Sequence, residues 1–135
     1  MSFETEYPIS ETCLIHIGAA LDFRNVAQFK AAYLHEIEQG NRYFVLDFSQ
    51  TGILDSTGLG AIFYLHRLIH PKGGRLMFAE PSRPVQVVVQ LTRAFRFFQQ
   101  FVTIEEALDR LDRYRTPPIE PIITQYQAKR SRKEV

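Results

Sequence analysis

Residues 54–60, with the sequence LDSTGLG, carry the strongest fold signal in this 135-residue chain. They follow closely on an apolar run of strand length, YFVLDF at 43–48, which predicts a central strand covered on both faces. From Thr57 apolar residues recur at helical spacing as far as Ile69, so we predict a helix that begins at Thr57. The stretch therefore predicts a loop that leaves a buried strand and enters a helix just after Ser56.

The two glycines of this stretch lie in the first turn of the predicted helix. Gly58 and Gly60 each cost roughly 1 kcal/mol there relative to alanine. Two such costs indicate that the absence of a side chain is needed here. It would allow either tight packing of the helix on a sheet or close approach by another protein or a phosphate. Ser56 then has two interpretations. It or Thr57 is a helix N-cap that accepts a first-turn N–H, or Ser56 receives a phosphate, which a helix N-terminus accommodates.

Towards the N-terminus, the pattern predicts two strands and a helix. Apolar and polar residues alternate at 3–7, a second strand is predicted at 13–17, and the polar turn between them indicates a hairpin. We predict that Asn25 caps the first helix with Gln28 as its capping-box partner, and that Gly40 ends this helix.

Towards the C-terminus, strands and helices continue to alternate. A strand is predicted at 75–79, a helix capped by Ser82 follows, and a last helix begins after Thr103, with Glu106 closing a capping box. A short strand is possible at 97–102 between these two helices. The order predicts a single α/β domain in which about four helices pack on a small mixed sheet.

The composition changes at residue 116. We expect residues 1–115 to form the domain and residues 116–135, which hold three prolines and a basic cluster, to be a mobile tail. The tail could touch RNA or anionic lipid, but a solvated tail is the favoured interpretation. The net charge of +1 gives no basic face, so we expect no direct binding of nucleic acid.

The cellular location and the state of the cysteine are predicted from the single cysteine and from the lack of long apolar segments. The one cysteine, Cys13, lies in an apolar run and is expected to be buried. No apolar segment follows Met1 as in a secretory signal, and none is long enough to span a bilayer. We therefore expect a cytoplasmic protein without membrane insertion.

Enzyme and metal interpretations are weak. A hydrolase elbow needs glycine two residues on either side of the serine, and Leu54 stands where the first is required. All four histidines precede the late acidic residues, so the hydrolase order of serine, acid and histidine is absent. His66 and His70 are four apart on a predicted helix, but a packed histidine is favoured over a metal site. We expect no catalysis, no metal and no cofactor.

The six-residue run at 55–60, DSTGLG, following VLDF at 45–48, resembles the signature of the bacterial anti-sigma-factor antagonists, members of the STAS domain family. The resemblance covers roughly residues 3–113. The segment 17–22, IGAALD, is similar to the family's G-x-L-D turn, with two alanines where glutamate is usual. The segment 73–76, GGRL, resembles the glycine turn before the family's last central strand.

The resemblance implies a phosphorylation switch. Ser56 matches the serine that is phosphorylated by a partner kinase, which is also the anti-sigma factor. The unphosphorylated form would sequester that factor, and a PP2C-type phosphatase would restore it. Asp55 matches the acid before the serine, and Asp22 an acid at the rim of the kinase-facing surface. The implied partner-binding residues are Asp22, Asp55, Ser56, Thr57, Gly58 and Leu59.

A second interpretation lies inside the same family. STAS domains also serve as regulatory subunits of transporters and of large stress-sensing assemblies. The absence of a membrane segment in the sequence, together with the phosphorylatable serine, favours the antagonist. A small-molecule ligand is not expected in either case.

Overall fold

The computed structural model describes residues 3–115, so the tail predicted at 116–135 lies outside the described residues. Seven strands are present in this part of the chain: β1 (Glu4–Glu6), β2 (Thr12–His16), β3 (Ala20–Leu21), β4 (Tyr43–Asp47), β5 (Ile53–Leu54), β6 (Arg75–Ala79) and β7 (Gln99–Phe101). The α-helices are α1 (Val26–Glu38), α2 (Ser56–Ile69), α3 (Arg83–Thr92) and α4 (Ile104–Arg115). The predicted α/β class and the four helices are confirmed.

The main sheet has five strands in the order β1-β2-β4-β6-β7. β1 pairs with β2 antiparallel, as the predicted hairpin requires, and the remaining pairs are parallel, so the sheet is mixed. Every residue of β4 is buried. The sequence interpretation of 43–48 as a central strand is therefore confirmed.

Alternate residues of β4 point to opposite faces of the sheet and belong to two separate hydrophobic cores. Phe44 and Leu46 belong to the larger core, with the buried residues of α1, α2 and α3. Tyr43 and Val45 belong to a smaller core completed by Ala107 of α4. Three helices thus cover one face of the sheet and α4 covers the other, as the alternation of a strand predicts.

The sequence did not predict a second, two-stranded sheet. β3 and β5 are two residues long each and pair in parallel, with Ala20 opposite Ile53 and Leu21 opposite Leu54. Strands this short show no readable alternation. The pair brings the loop after β2 against the loop that leads into α2.

The caps of two helices differ from the predictions. α2 begins at Ser56, and its N-cap is Asp55, so the N-cap interpretation of Ser56 or Thr57 is wrong. Asn25 occupies the N-cap position of α1, but its side chain makes no cap hydrogen bond. Instead its amide accepts from the N–H of Asp22 at 3.0 Å and donates to a backbone carbonyl of β3 at 2.8 Å. The predicted capping box at Asn25 is therefore wrong.

The other two predicted caps are present. The hydroxyl of Ser82 accepts from the N–H of Val85 at 3.4 Å, at the start of α3. The hydroxyl of Thr103 accepts from the N–H of Glu106 at 3.1 Å, at the start of α4. Both contacts satisfy first-turn N–H groups that have no partner within the helix.

Candidate functional site

The switch serine predicted from the sequence stands at an exposed helix start. Ser56 is the first residue of α2, and its side chain is exposed. Thr57 is exposed as well, but its hydroxyl donates to Oδ1 of Asp55 at 2.7 Å. Of the two neighbouring hydroxyls, that of Thr57 is engaged in holding the helix start, and that of Ser56 is presented outwards.

Asp55 uses both carboxylate oxygens to hold this helix start. Oδ1 accepts from the N–H of Gly58 at 2.8 Å, and Oδ2 accepts from the N–H of Phe23 at 3.0 Å. Desolvation raises the pKa of Asp55, but the hydrogen bonds from Gly58, Thr57 and Phe23 outweigh it and leave the pKa below its usual range. The anionic carboxylate therefore already occupies the first-turn N–H of Gly58, which a phosphate could have used.

The structure places the carboxylate of Asp22 beneath a neighbouring arginine. Asp22 is buried, and Arg24 pairs with it through Nη2 and Oδ2 at 2.6 Å, while the backbone N–H of Arg24 donates to Oδ1 at 3.0 Å. The Arg24 guanidinium holds the pKa of Asp22 below its usual range. The group exposed at this rim is the arginine, whose side chain is 62% exposed, and not the carboxylate.

The two glycines near Ser56 have different surroundings. A Cβ on Gly58 would lie 2.5 Å from the carbonyl oxygen of Leu21, because α2 packs tightly on β3 at this point. A Cβ on Gly60 would meet nothing within 4 Å. Of the two uses of bare backbone considered above, tight packing therefore applies to Gly58. Leu59 is also buried and belongs to the larger core.

An apolar groove of about 450 Å³ adjoins Ser56 and was not predicted. Ser56, Gly60 and Phe63 line it from α2, and Val88 and Leu91 line it from α3. Leu91 is 79% exposed. In the sequence, Leu91 lies outside the stripe of buried valines on α3, which could have indicated an exposed apolar surface. The groove itself becomes visible only when α3 is packed beside α2.

A second charged cluster was also missed. His16, the last residue of β2, contacts Asp47, the last residue of β4, through Nδ1 at 2.6 Å and Glu6 through Nε2 at 2.6 Å. Burial lowers the pKa of His16, but the two carboxylates outweigh burial and raise the pKa above its usual range. The residues are distant in sequence, and only the β2–β4 register brings them together.

His66 lies in α2, and His70 follows directly after its last residue. The rings of His66 and His70 lie 5.2 Å apart, and His66 packs edge-on against Phe98. Burial lowers the pKa of His66. Among residues 3–115 there is no group of three metal-ligating side chains that could hold an ion. Cys13 is fully buried, which raises the pKa of its thiol to about 12.

The family pattern of the STAS domain matches residues 5–107, which is most of the chain. The chain belongs to the STAS domain family. No helix in the described part of this STAS domain is long and apolar enough to cross a membrane.

Solved structures of similar fold include anti-sigma factor antagonists. The Bacillus protein SpoIIAA in its unphosphorylated form is 29% identical, with a TM-score of 0.72 over 82% of this chain and 96% of that one. Its phosphorylated form is 28% identical, with a TM-score of 0.66 over 82% and 99%. A candidate anti-sigma factor antagonist from Thermotoga maritima is 25% identical, with a TM-score of 0.75 over 80% and 92%.

The same fold also occurs in a transporter family. A sulfate transporter family protein from Wolinella succinogenes is 16% identical, with a TM-score of 0.69 over 81% of this chain and 91% of that one. At this identity the likeness shows the fold alone. The STAS family is in general one of regulatory binding domains and not of enzymes.

Proposed function

We propose that this STAS domain is a cytoplasmic anti-sigma-factor antagonist, whose binding to an anti-sigma factor with serine-kinase activity is switched off by phosphorylation of Ser56. The single observation that carries the proposal is the exposed Ser56 side chain at the start of α2, beside an apolar groove. The likeness to SpoIIAA, which is known in an unphosphorylated and a phosphorylated form, supports it. The domain itself performs no catalysis in this proposal.

The surroundings of Ser56 explain how a phosphate would act. A phosphoserine adds a charge of about −1.5 to −2 next to the carboxylate of Asp55, which is already anionic. When a closely packed partner excludes water from this site, the repulsion between the phosphate and Asp55 is expected to reach a few kcal/mol at an effective dielectric near ~20. Each ~1.4 kcal/mol corresponds to a tenfold change in affinity, so a cost of about 3 kcal/mol would weaken binding roughly a hundredfold.

The same surroundings explain why the fold should survive the switch. Ser56 is exposed, so added bulk displaces solvent and not core residues. Gly58 and Leu59 are buried, and they act by fixing α2 on β3. The surface offered to the partner consists of Ser56 and Thr57 with the adjoining groove. In the proposed cycle a PP2C-type phosphatase removes the phosphate and restores binding.

The test uses a purified anti-sigma factor kinase encoded in the same genome. We expect Ser56→Ala to bind the kinase at least as tightly as the unmodified protein and to resist phosphorylation by ATP. Ser56→Asp should weaken binding by at least roughly tenfold without changing the melting temperature. Ser10→Asp is the matched control, because it places the same charge on an exposed serine in the β1–β2 turn.

Equal affinities for Ser56→Ala and Ser56→Asp would contradict the proposal. The alternative is a STAS regulatory subunit of a transporter or of a stress-sensing complex. The fold-level likeness to the Wolinella transporter family protein is the observation that keeps this alternative open. A kinase that neither binds the domain nor phosphorylates Ser56, together with a membrane transporter component captured by Ser56→Ala bait, would favour the alternative.

A further inference from the structure

Phe23 is a large apolar side chain left outside the core. It follows β3 and is 72% exposed. Single exposed apolar residues are common on protein surfaces, so exposure alone carries little weight. Phe23 differs from such residues because its backbone is fixed by hydrogen bonds and because it lies beside the Ser56 site.

The backbone around Phe23 is braced on several sides. Its own N–H donates to Oδ2 of Asp55 at 3.0 Å. The preceding residue, Asp22, is tied to Arg24 by an ion pair at 2.6 Å. Asn25 accepts from the N–H of Asp22 and donates to the carbonyl of Ala20. The loop is therefore fixed by side-chain contacts, while the phenyl ring is presented to the outside.

The hydrogen bond to Asp55 also places Phe23 near Ser56. Asp55, which accepts the N–H of Phe23, directly precedes Ser56 in the chain. A protein that transfers a phosphoryl group to the hydroxyl of Ser56 must cover this part of the surface. Leu91, at the far side of the groove that Ser56 lines, is 79% exposed. Ser56 therefore lies between two exposed apolar residues. Phe23 is held by Asp55, next to Ser56 in the chain, and Leu91 lies across the groove.

The charges around Phe23 are satisfied within the protein. Arg24 is neutralised by Asp22, and the carboxylate of Asp55 accepts three hydrogen bonds. Asp22 and Arg24 thus cancel one another, Asp55 remains a hydrogen-bonded anion, and the side chain that Phe23 itself offers to a partner is apolar. Interfaces concentrate their binding energy in a few aromatic residues, and a loop whose backbone is already fixed loses little backbone entropy on binding.

We infer that Phe23 is an aromatic anchor, which inserts into an apolar pocket on the anti-sigma factor kinase when that kinase docks over Ser56. The inference rests on the proposed function, because it names how the same site recognises its partner. It goes further by assigning recognition to a residue outside the serine motif, contributed by the loop before α1.

The experiment compares three variants against the purified kinase, with dissociation constants from titration calorimetry and rates of Ser56 phosphorylation. Phe23→Ala should weaken binding roughly tenfold to thirtyfold, as the loss of an interface anchor does. Phe23→Leu, which keeps an apolar side chain, should recover part of the loss. Tyr114→Ala removes an aromatic ring that is 39% exposed on α4, across the sheet, and should leave the affinity within about twofold of the unmodified protein.

The phosphorylation rate gives a second readout. At kinase concentrations below the dissociation constant, Phe23→Ala should lower kcat/KM for Ser56 by a factor similar to the loss of affinity. The melting temperature of Phe23→Ala should match that of the unmodified protein, since the ring is largely exposed, whereas Tyr114→Ala also removes a ring that contacts Arg75 at 4.0 Å. A drop confined to Phe23→Ala would show that the ring stabilises the fold, and would overturn the inference.

Failure of this inference can be told apart from failure of the proposed function. If the unmodified protein binds the kinase and is phosphorylated at Ser56, equal affinities for Phe23→Ala and Tyr114→Ala overturn the anchor alone. If Phe23→Ala instead abolishes self-association in sedimentation while kinase affinity is unchanged, the anchor serves a second copy of this chain, and the inference is wrong. If the unmodified protein neither binds nor is phosphorylated, the proposed function fails and the anchor with it.

Discussion

Oδ2 of Asp55 accepts the backbone N–H of Phe23 at 3.0 Å, across a separation of 32 residues. The other oxygen of the same carboxylate caps α2 through Gly58. One side chain therefore holds the helix that carries Ser56 and the loop that carries Phe23 in a fixed relation. The consequence for stability can be measured directly.

Asp55→Ala should lower the free energy of unfolding by roughly 1–2 kcal/mol, because α2 loses its N-cap and the Phe23 N–H loses its acceptor. Asp55→Asn keeps a side-chain oxygen able to cap the helix and should lose less. Urea denaturation gives both values. Asp109→Ala, which breaks an exposed pair with Arg113 at 2.9 Å, is the control and should change stability by under about 0.5 kcal/mol.

Alanine at the two glycines of α2 should have effects of opposite sign. At Gly58 a Cβ would lie 2.5 Å from the carbonyl oxygen of Leu21, so Gly58→Ala should destabilise the domain by roughly 1–3 kcal/mol. At Gly60 the space is open, and Gly60→Ala should stabilise α2 by up to about 1 kcal/mol. Thermal unfolding of the pair provides the comparison. A loss of stability at both positions would show that Gly60 is also constrained.

The contribution of His16 should depend on pH. Its pKa is raised in the folded protein, so protonation stabilises the fold below the usual pKa of about 6.5, and this stabilisation is lost as pH rises through the folded pKa. Burial raises the pKa of Asp47, but its hydrogen bonds outweigh burial and lower it, so its contribution is lost only on further acidification. The stability difference between the unmodified protein and His16→Gln should therefore shrink as pH rises from about 5.5 to about 8.5.

Chemical denaturation across this pH range measures the difference. His35→Gln, on the exposed side of α1, is the control for changing a histidine without breaking this cluster. If the loss caused by His16→Gln grew towards alkaline pH, protonated His16 would not be the stabilising form.

The groove beside Ser56 should matter for binding and not for folding. Leu91→Gln should weaken binding of the purified kinase by roughly tenfold, since the groove loses an exposed apolar side chain that the partner would cover. Val102→Gln is the matched control, because Val102 is exposed to nearly the same degree, 78% against 79%, and does not line the groove. Equal affinities for the two variants, measured by calorimetry, would remove the groove from the interface.

The sequence predicts the main architecture because burial leaves a regular pattern. The apolar run at 43–48 suits a strand covered on both faces, and the apolar stripes of the helices follow helical spacing. The β3–β5 pair escaped prediction because two residues carry no periodicity. Its presence depends on the loop after β2 meeting the loop before α2.

The sequence singles out the residues around Ser56 but does not predict their structural roles. Asp55, Ser56 and Thr57 are all good N-cap residues, and only the direction in which the chain leaves β5 decides that Asp55 caps α2. Gly58 and Gly60 look alike in the sequence, and the carbonyl of Leu21 distinguishes them. The pair of His16 and Asp47 follows from strand register, which no local pattern fixes.

The β3–β5 pair has a consequence for how such a protein could diversify. The hydrogen bonds of residues 18–22 and 51–55 link the two loops largely to each other and not to the five-stranded sheet, as in the contact of the Gly52 N–H with the carbonyl of Ala19 at 2.8 Å. Substitutions in one loop can then be matched by substitutions in the other while the register of the main sheet stays as it is. Paralogous circuits within one cell could acquire separate partners by changing these two segments together.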